Sequence, residues 1–101
     1  MKYNKLIRDY IPEIIVESGD EPIVHIADEK EYYQKLKEKL IEESTEFIQS
    51  DDPEELADVL EVMYAICCIH KLSASKLEKI RENKAKKRGS FSKKLILDEI
   101  T

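Results

Sequence analysis

Apolar residues recur at helical spacing through most of the chain. In the first segment, residues 4–18, they are Ile7, Ile11, Ile14 and Ile15. Pro12 fits the first turn of a short helix there, because its missing N–H would have no intrahelical partner. Ser18-Gly19-Asp20 closes that helix. The β-branched run Pro22-Ile23-Val24-His25-Ile26-Ala27 reads as a strand or an extended arm. Asp28 reads as an N-cap, with Glu31 three residues on completing a capping box. The helix it opens is expected over 29–49. Ser50-Asp51-Asp52-Pro53 interrupts the pattern, with Asp52 placed to cap and Pro53 to occupy the first position of a helix running to about residue 71. After Leu72, Ser73 or Ser75 caps a further helix that ends near Gly89. Leu95-Ile96-Leu97 is compatible with a short strand, and pairing it with residues 23–26 would give a small two-stranded ribbon.

The stripes on the two long helices carry more than apolar residues. At about 100° per residue, Leu36, Leu40, Glu43 and Phe47 share one face of the first, so Glu43 occupies a core-facing position. Glu46 lies on its flank. In the second, Leu56, Leu60, Met63 and Cys67 form the main stripe, and Val59, Val62, Ile66 and Ile69 widen it to one side. Glu55 falls inside that wider arc and Asp58 at its margin. Between Val59 and Ile69 this helix is apolar over most of its circumference. A chain of this length cannot cover it alone, which predicts a homodimer or higher oligomer that completes a helical bundle.

Length and composition narrow the class. With 101 residues there is room for one domain, 1–101. Only two glycines and three prolines are present, too few for the turns of a hairpin-rich fold, so the expected class is all-α. The longest run free of charge or histidine, 62–69, is far too short to span a bilayer. The opening Met1-Lys2-Tyr3-Asn4-Lys5 lacks a signal-peptide apolar core, and the two cysteines, Cys67 and Cys68, are adjacent. Neither a metal-binding Cys pair nor a disulfide framework can be read, and a reducing, cytoplasmic setting is expected.

Charge then separates two regions. The formal net charge is −5, which argues against nucleic-acid packaging and against anionic membranes as partners. Between residues 42 and 61 lie nine acids and no Lys or Arg, and between 71 and 94 lie ten bases and two acids. The ordinary reading of such runs is two solvated faces that attract each other across successive helices. Glu43, Glu46, Glu55 and Asp58 do not fit it, because their spacing aims both i, i+3 pairs at packing surface. Clustered, partly buried carboxylates need protonation, a Lys or Arg partner, or a hard cation. An all-oxygen set suits Mg²⁺ or Mn²⁺, not zinc. A di-iron bundle would require Glu-x-x-His, which is absent.

Glu43-x-x-Glu46 followed by Glu55-x-x-Asp58 on consecutive helices resembles the signature of the all-α nucleoside triphosphate pyrophosphatases. These include the MazG-like proteins and the phosphoribosyl-ATP pyrophosphohydrolases. The opening Tyr3-Asn4-Lys5-Leu6-Ile7-Arg8-Asp9-Tyr10-Ile11-Pro12-Glu13-Ile14-Ile15 is similar to the start of the small phosphoribosyl-ATP pyrophosphohydrolase-like branch. Residues 55–62 look like its second metal helix, and Lys84 through Arg88-Gly89-Ser90-Phe91 look like its closing motif. Tyr10 stands where that branch usually carries Lys, and Ser90 where it often has a second Gly. The resemblance implies Mg²⁺-dependent (or Mn²⁺-dependent) hydrolysis between the α- and β-phosphates of a nucleotide, giving a monophosphate and pyrophosphate. It implies Glu43, Glu46, Glu55 and Asp58 as metal ligands, with Glu42 beside them as a supporting residue or base, and Glu42 and Glu43 as the catalytic pair. Lys5, Arg8, Lys84 and Arg88 are the candidate phosphate contacts, since phosphate needs cationic donors, and Asn4 a further substrate contact. The alternative for each Lys and Arg is an exposed solubilising charge.

Other residues take plainer readings. His70 at a helix C-terminus suits a structural role, and His25 an exposed position on the arm. Cys67 and Cys68 read as small core residues, and Tyr32, Tyr33 and Tyr64 as packing residues. Lys84-Ala85-Lys86-Lys87-Arg88 lacks interleaved aromatics and sits on an acidic protein, against an RNA-binding role. The rival to an enzyme is a non-catalytic helical module of the same fold that oligomerises or senses nucleotides.

Overall fold

Local capping places the helix boundaries close to where the sequence does. A computed structural model of the chain describes residues 2–101. It contains α1 (Ile11–Glu17), α2 (Glu29–Ser50), α3 (Glu54–Ile69) and α4 (Ala74–Arg88), and no strand among the described residues. The Asp28 carboxylate accepts the Glu31 N–H at 2.8 Å, satisfying one free donor at the start of α2. The capping box is half-made, because the Glu31 side chain turns instead to His25 Nε2 at 2.9 Å. Pro53 is the N-cap of α3, one place before the expected first helical position, with the Asp52 carboxylate accepting from Glu54 N at 3.0 Å, while Ser73 Oγ accepts from Lys76 N and starts α4. Asp51 and Lys71 adopt left-handed backbone (φ 56° and 53°) and turn the chain after α2 and α3. Gly89, at φ 83°, ends α4.

Packing is concentrated between α2 and α3. Helix–helix contact is confined to α2 against α3 and α3 against α4. Leu36, at 2% exposure, Val62 and Cys67 are the buried apolar side chains. Leu40 and Phe47 on α2, with Val59 and Ile66 on α3, flank them half-buried. The stripe expected on α2 is therefore the one observed. On α3 the order is largely reversed. The wider arc through Val59, Val62 and Ile66 meets α2, though its Ile69 is exposed, whereas of the expected main stripe Cys67 is buried and Leu56, Leu60 and Met63 stay exposed. The packed arc also carries Glu55 and Asp58, so their carboxylates are brought to α2's own despite the like charge.

The rest of the chain is open. The arm at 20–27 and the segment 91–101 carry no regular structure, so the residues expected to pair as a ribbon form no strand within the single chain. The radius of gyration is 17.9 Å, against about 13 Å for a compact domain of this length. No helix is long and apolar enough to cross a membrane.

Candidate metal centre at the α2–α3 seam

Side-by-side packing of α2 and α3 carries both acidic pairs to one seam. Carboxylate oxygens of Glu42, Glu43 and Glu46 lie within 4.8 Å of one another, and so do those of Glu43, Glu55 and Asp58. Glu43 belongs to both groups. The four residues that the sequence marks as ligands are thus brought together, with Glu42 adjoining them.

Glu43 sits at the centre and is the only buried charged residue of the described chain, at 8% exposure. One of its oxygens lies 3.5 Å from Lys39 Nζ, while Oε2 is buried without a hydrogen-bond partner. Burial raises the Glu43 pKa, and the neighbouring Glu46 and Asp58 carboxylates push it the same way against the pull of Lys39. Glu55 is also raised, by desolvation first and then by the nearby Asp58 and Glu46 carboxylates. Glu42 behaves oppositely. Its own desolvation pushes upward, but hydrogen bonds from Lys5 and Lys39 outweigh this and hold it below the ordinary carboxylate range. The Glu42 carboxylate thus bridges Lys5 and Lys39.

The N-terminal segment lies across this seam. Lys5 Nζ reaches Glu42 at 3.1 Å, and Arg8 Nη2 reaches Asp58 at 2.7 Å. Lys35 Nζ donates to the Asn4 carbonyl at 2.8 Å, and Asn4 itself is left-handed at φ 48°. Two of the expected phosphate contacts, Lys5 and Arg8, are therefore at the site, and Asn4 is fixed beside them. A cavity of about 250 Å³ opens beside the seam, between the N-terminal segment and α2, lined by Tyr3, Asn4, Lys5, Lys35, Lys39 and Glu42 among others; of the clustered carboxylates only Glu42 borders it. Lys84 and Arg88 are exposed on α4 and make no ion pair among the described residues. The expected meeting of the basic and acidic runs within one chain is likewise not made, since the ion pair formed on α4, Arg81 with Glu78, is internal to it.

Lys39 is the residue that sequence reasoning passed over. It lies outside the base-free run, yet one turn before Glu42 and Glu43, and i, i+3 and i, i+4 spacing is the signal that would have found it. His70 fills its structural role by pairing with the Tyr33 hydroxyl at 2.9 Å, and Cys67 is buried while Cys68 is exposed.

The donor set is all oxygen, and the three cations that pair with it leave Glu46 and Glu55 without a cationic partner. Together with the orphaned Glu43 oxygen, this fits a hard divalent cation and not a soft one. In class, the chain is an all-helical protein with a carboxylate centre between two packed helices. No family model, curated protein or solved structure matches it.

Proposed function

We propose that the chain is a Mg²⁺-dependent nucleotide pyrophosphohydrolase of the MazG-like and phosphoribosyl-ATP pyrophosphohydrolase-like kind. It would cleave between the α- and β-phosphates of a nucleoside triphosphate or related nucleotide. The observation that carries this reading is the buried, partnerless Glu43 oxygen at the meeting point of two carboxylate groups. Bound there, Mg²⁺ or Mn²⁺ would supply Lewis-acid neutralisation of phosphate oxygens and a more acidic water. Glu43, Glu46, Glu55 and Asp58 would hold the ion. Lys5 and Arg8, each on an exposed side chain a single ion pair from the acids, can exchange a carboxylate for a phosphate oxygen. Lys39 holds Glu42 and Glu43 in place relative to each other. The functional unit on this reading is a homodimer or higher homo-oligomer in the cytoplasm.

A non-catalytic helical module is the second reading. Lys5, Arg8 and Lys39 already neutralise part of the cluster without any ion, as a scaffold would need. Pyrophosphate release from a nucleotide panel with Mg²⁺ separates the two. The enzyme reading expects turnover that falls at least 100-fold, roughly 3 kcal/mol of barrier, in Glu43→Gln and Asp58→Asn. Full turnover in both variants, or none in the parent chain on any nucleotide, rejects it.

A further inference from the structure

The apolar surface left open by this fold is too large for a lone chain. The accessible area is 9481 Å² for 11.8 kDa, roughly 1.6 times the ~5,900 Å² of a globular monomer of that mass. The surplus, about 3,600 Å² per chain, exceeds both the ~800 Å² that each partner contributes to a standard interface and the roughly 1,000–2,500 Å² that each contributes to an obligate one, so a pair can be formed without using all of it. Ile23 and Ile26 of the arm and Ile41 and Ile48 on α2 contribute to it, and two further stretches are each contiguous along the chain. One is the α3 stripe of Leu56, Leu60, Met63 and Tyr64, which neither α2 nor α4 covers. The other is the C-terminal segment, where Phe91, Leu95, Ile96, Leu97 and Ile100 are 75–98% exposed.

We propose that residues 91–100 of one copy dock along the α3 stripe of a second copy, and that the exchange is reciprocal. This deepens the oligomer reading above by naming the surfaces, and it does not depend on the chemistry of the carboxylate centre.

Length permits it. Ten extended residues reach up to about 35 Å, and α3 with 16 residues is about 24 Å long, so the segment can run the whole helix. Charge favours it. Lys93 and Lys94 stand directly before Leu95 and have no ion pair, and Glu54 and Glu61 on α3 have none either among the described residues. A two-fold arrangement makes each chain both guest and host, so both tails and both α3 stripes are covered at once. The same docking draws the basic end of α4 toward the partner's acidic helices, and so accounts for Lys84 and Arg88 finding no acid in their own chain.

Light scattering after gel filtration of the full chain tests this, with Leu95→Asp/Leu97→Asp and Leu60→Asp as variants. Both sites are exposed in the single chain, so circular dichroism should show helix content unchanged. The expected result is twice 11.8 kDa for the parent and a shift to one chain mass for each variant. Trypsin should cut at Lys93 and Lys94 at least 10-fold faster in the variants than in the parent. A monomeric parent at high micromolar concentration overturns the proposal, and so does an assembly that ignores the tail substitutions. Because mass and cleavage are read without any nucleotide, a failure here is separate from a failure of the hydrolase reading.

Discussion

The α2–α3 pair and α4 are equally regular helix, yet they differ in what they bury. Both α2 and α4 begin with a side-chain cap, at Asp28 and Ser73, and α4 is rich in good helix formers. The α2–α3 pair nevertheless encloses all the buried residues of the described chain, Glu43 among them, and α4 encloses none. Caps and propensity suffice to make a helix. Only complementary faces on two helices make a site, because burial is what turns an acidic side chain into an unsatisfied one.

The comparison breaks most severely at the core. Leu36→Ala should destabilise the chain by about 2–5 kcal/mol in urea titration, since it removes the most buried apolar side chain. Ile96→Ala, placed in the monomeric Leu60→Asp background where the tail is exposed, should change stability by no more than about 0.5 kcal/mol. Equal losses would mean that the tail belongs to the same cooperative core.

Cation binding should divide the regions next. Mg²⁺ at a hundredfold excess over its dissociation constant should raise stability by about 2.7 kcal/mol, seen as a higher melting midpoint. Glu43→Gln should abolish this rise, and Lys84→Gln with Arg88→Gln should leave it intact. A rise retained in Glu43→Gln would place the ion elsewhere.

The smallest effect expected is that of pH on the metal-free chain. Glu43 and Glu55 have folded pKa values above the ordinary 4.5, so the folded state binds more protons than the unfolded one just above pH 4.5. Their contribution to stability therefore grows as pH falls from neutral toward 4.5. Glu42, held below 4.5, contributes the opposite, and its stabilisation is lost as pH falls further. Melting midpoints between pH 7 and 4 should show the first trend weakened in Glu43→Gln. A Glu43→Gln profile as steep as the parent's would assign the trend to other groups.

Much of this architecture was legible in the sequence for local reasons. The Asp28, Asp52 and Ser73 caps, Pro53 and Gly89 act within a turn of themselves, so the helix boundaries follow within a residue or two. The core-facing position of Glu43 followed from period alone. What was not legible depended on partners distant in sequence. Whether Leu56-Leu60-Met63 or Val59-Val62-Ile66 faces α2 is decided by the opposing helix, which periodicity on α3 cannot weigh. Lys39 went unnoticed because its charge lies outside the acidic run although its side chain reaches back into it. Lys84 and Arg88 are carried away from the seam by the direction α4 takes after Lys71, a backbone choice no motif encodes.

Glu43 is a member of both oxygen triads at the seam, and that sharing forbids independence. Any occupant of one triad alters the carboxylate on which the other relies, so two occupants would sense each other, and by equal amounts in both directions. Substitution at this one residue would silence the pair together, whereas Glu46 and Glu55 each offer a handle on a single half.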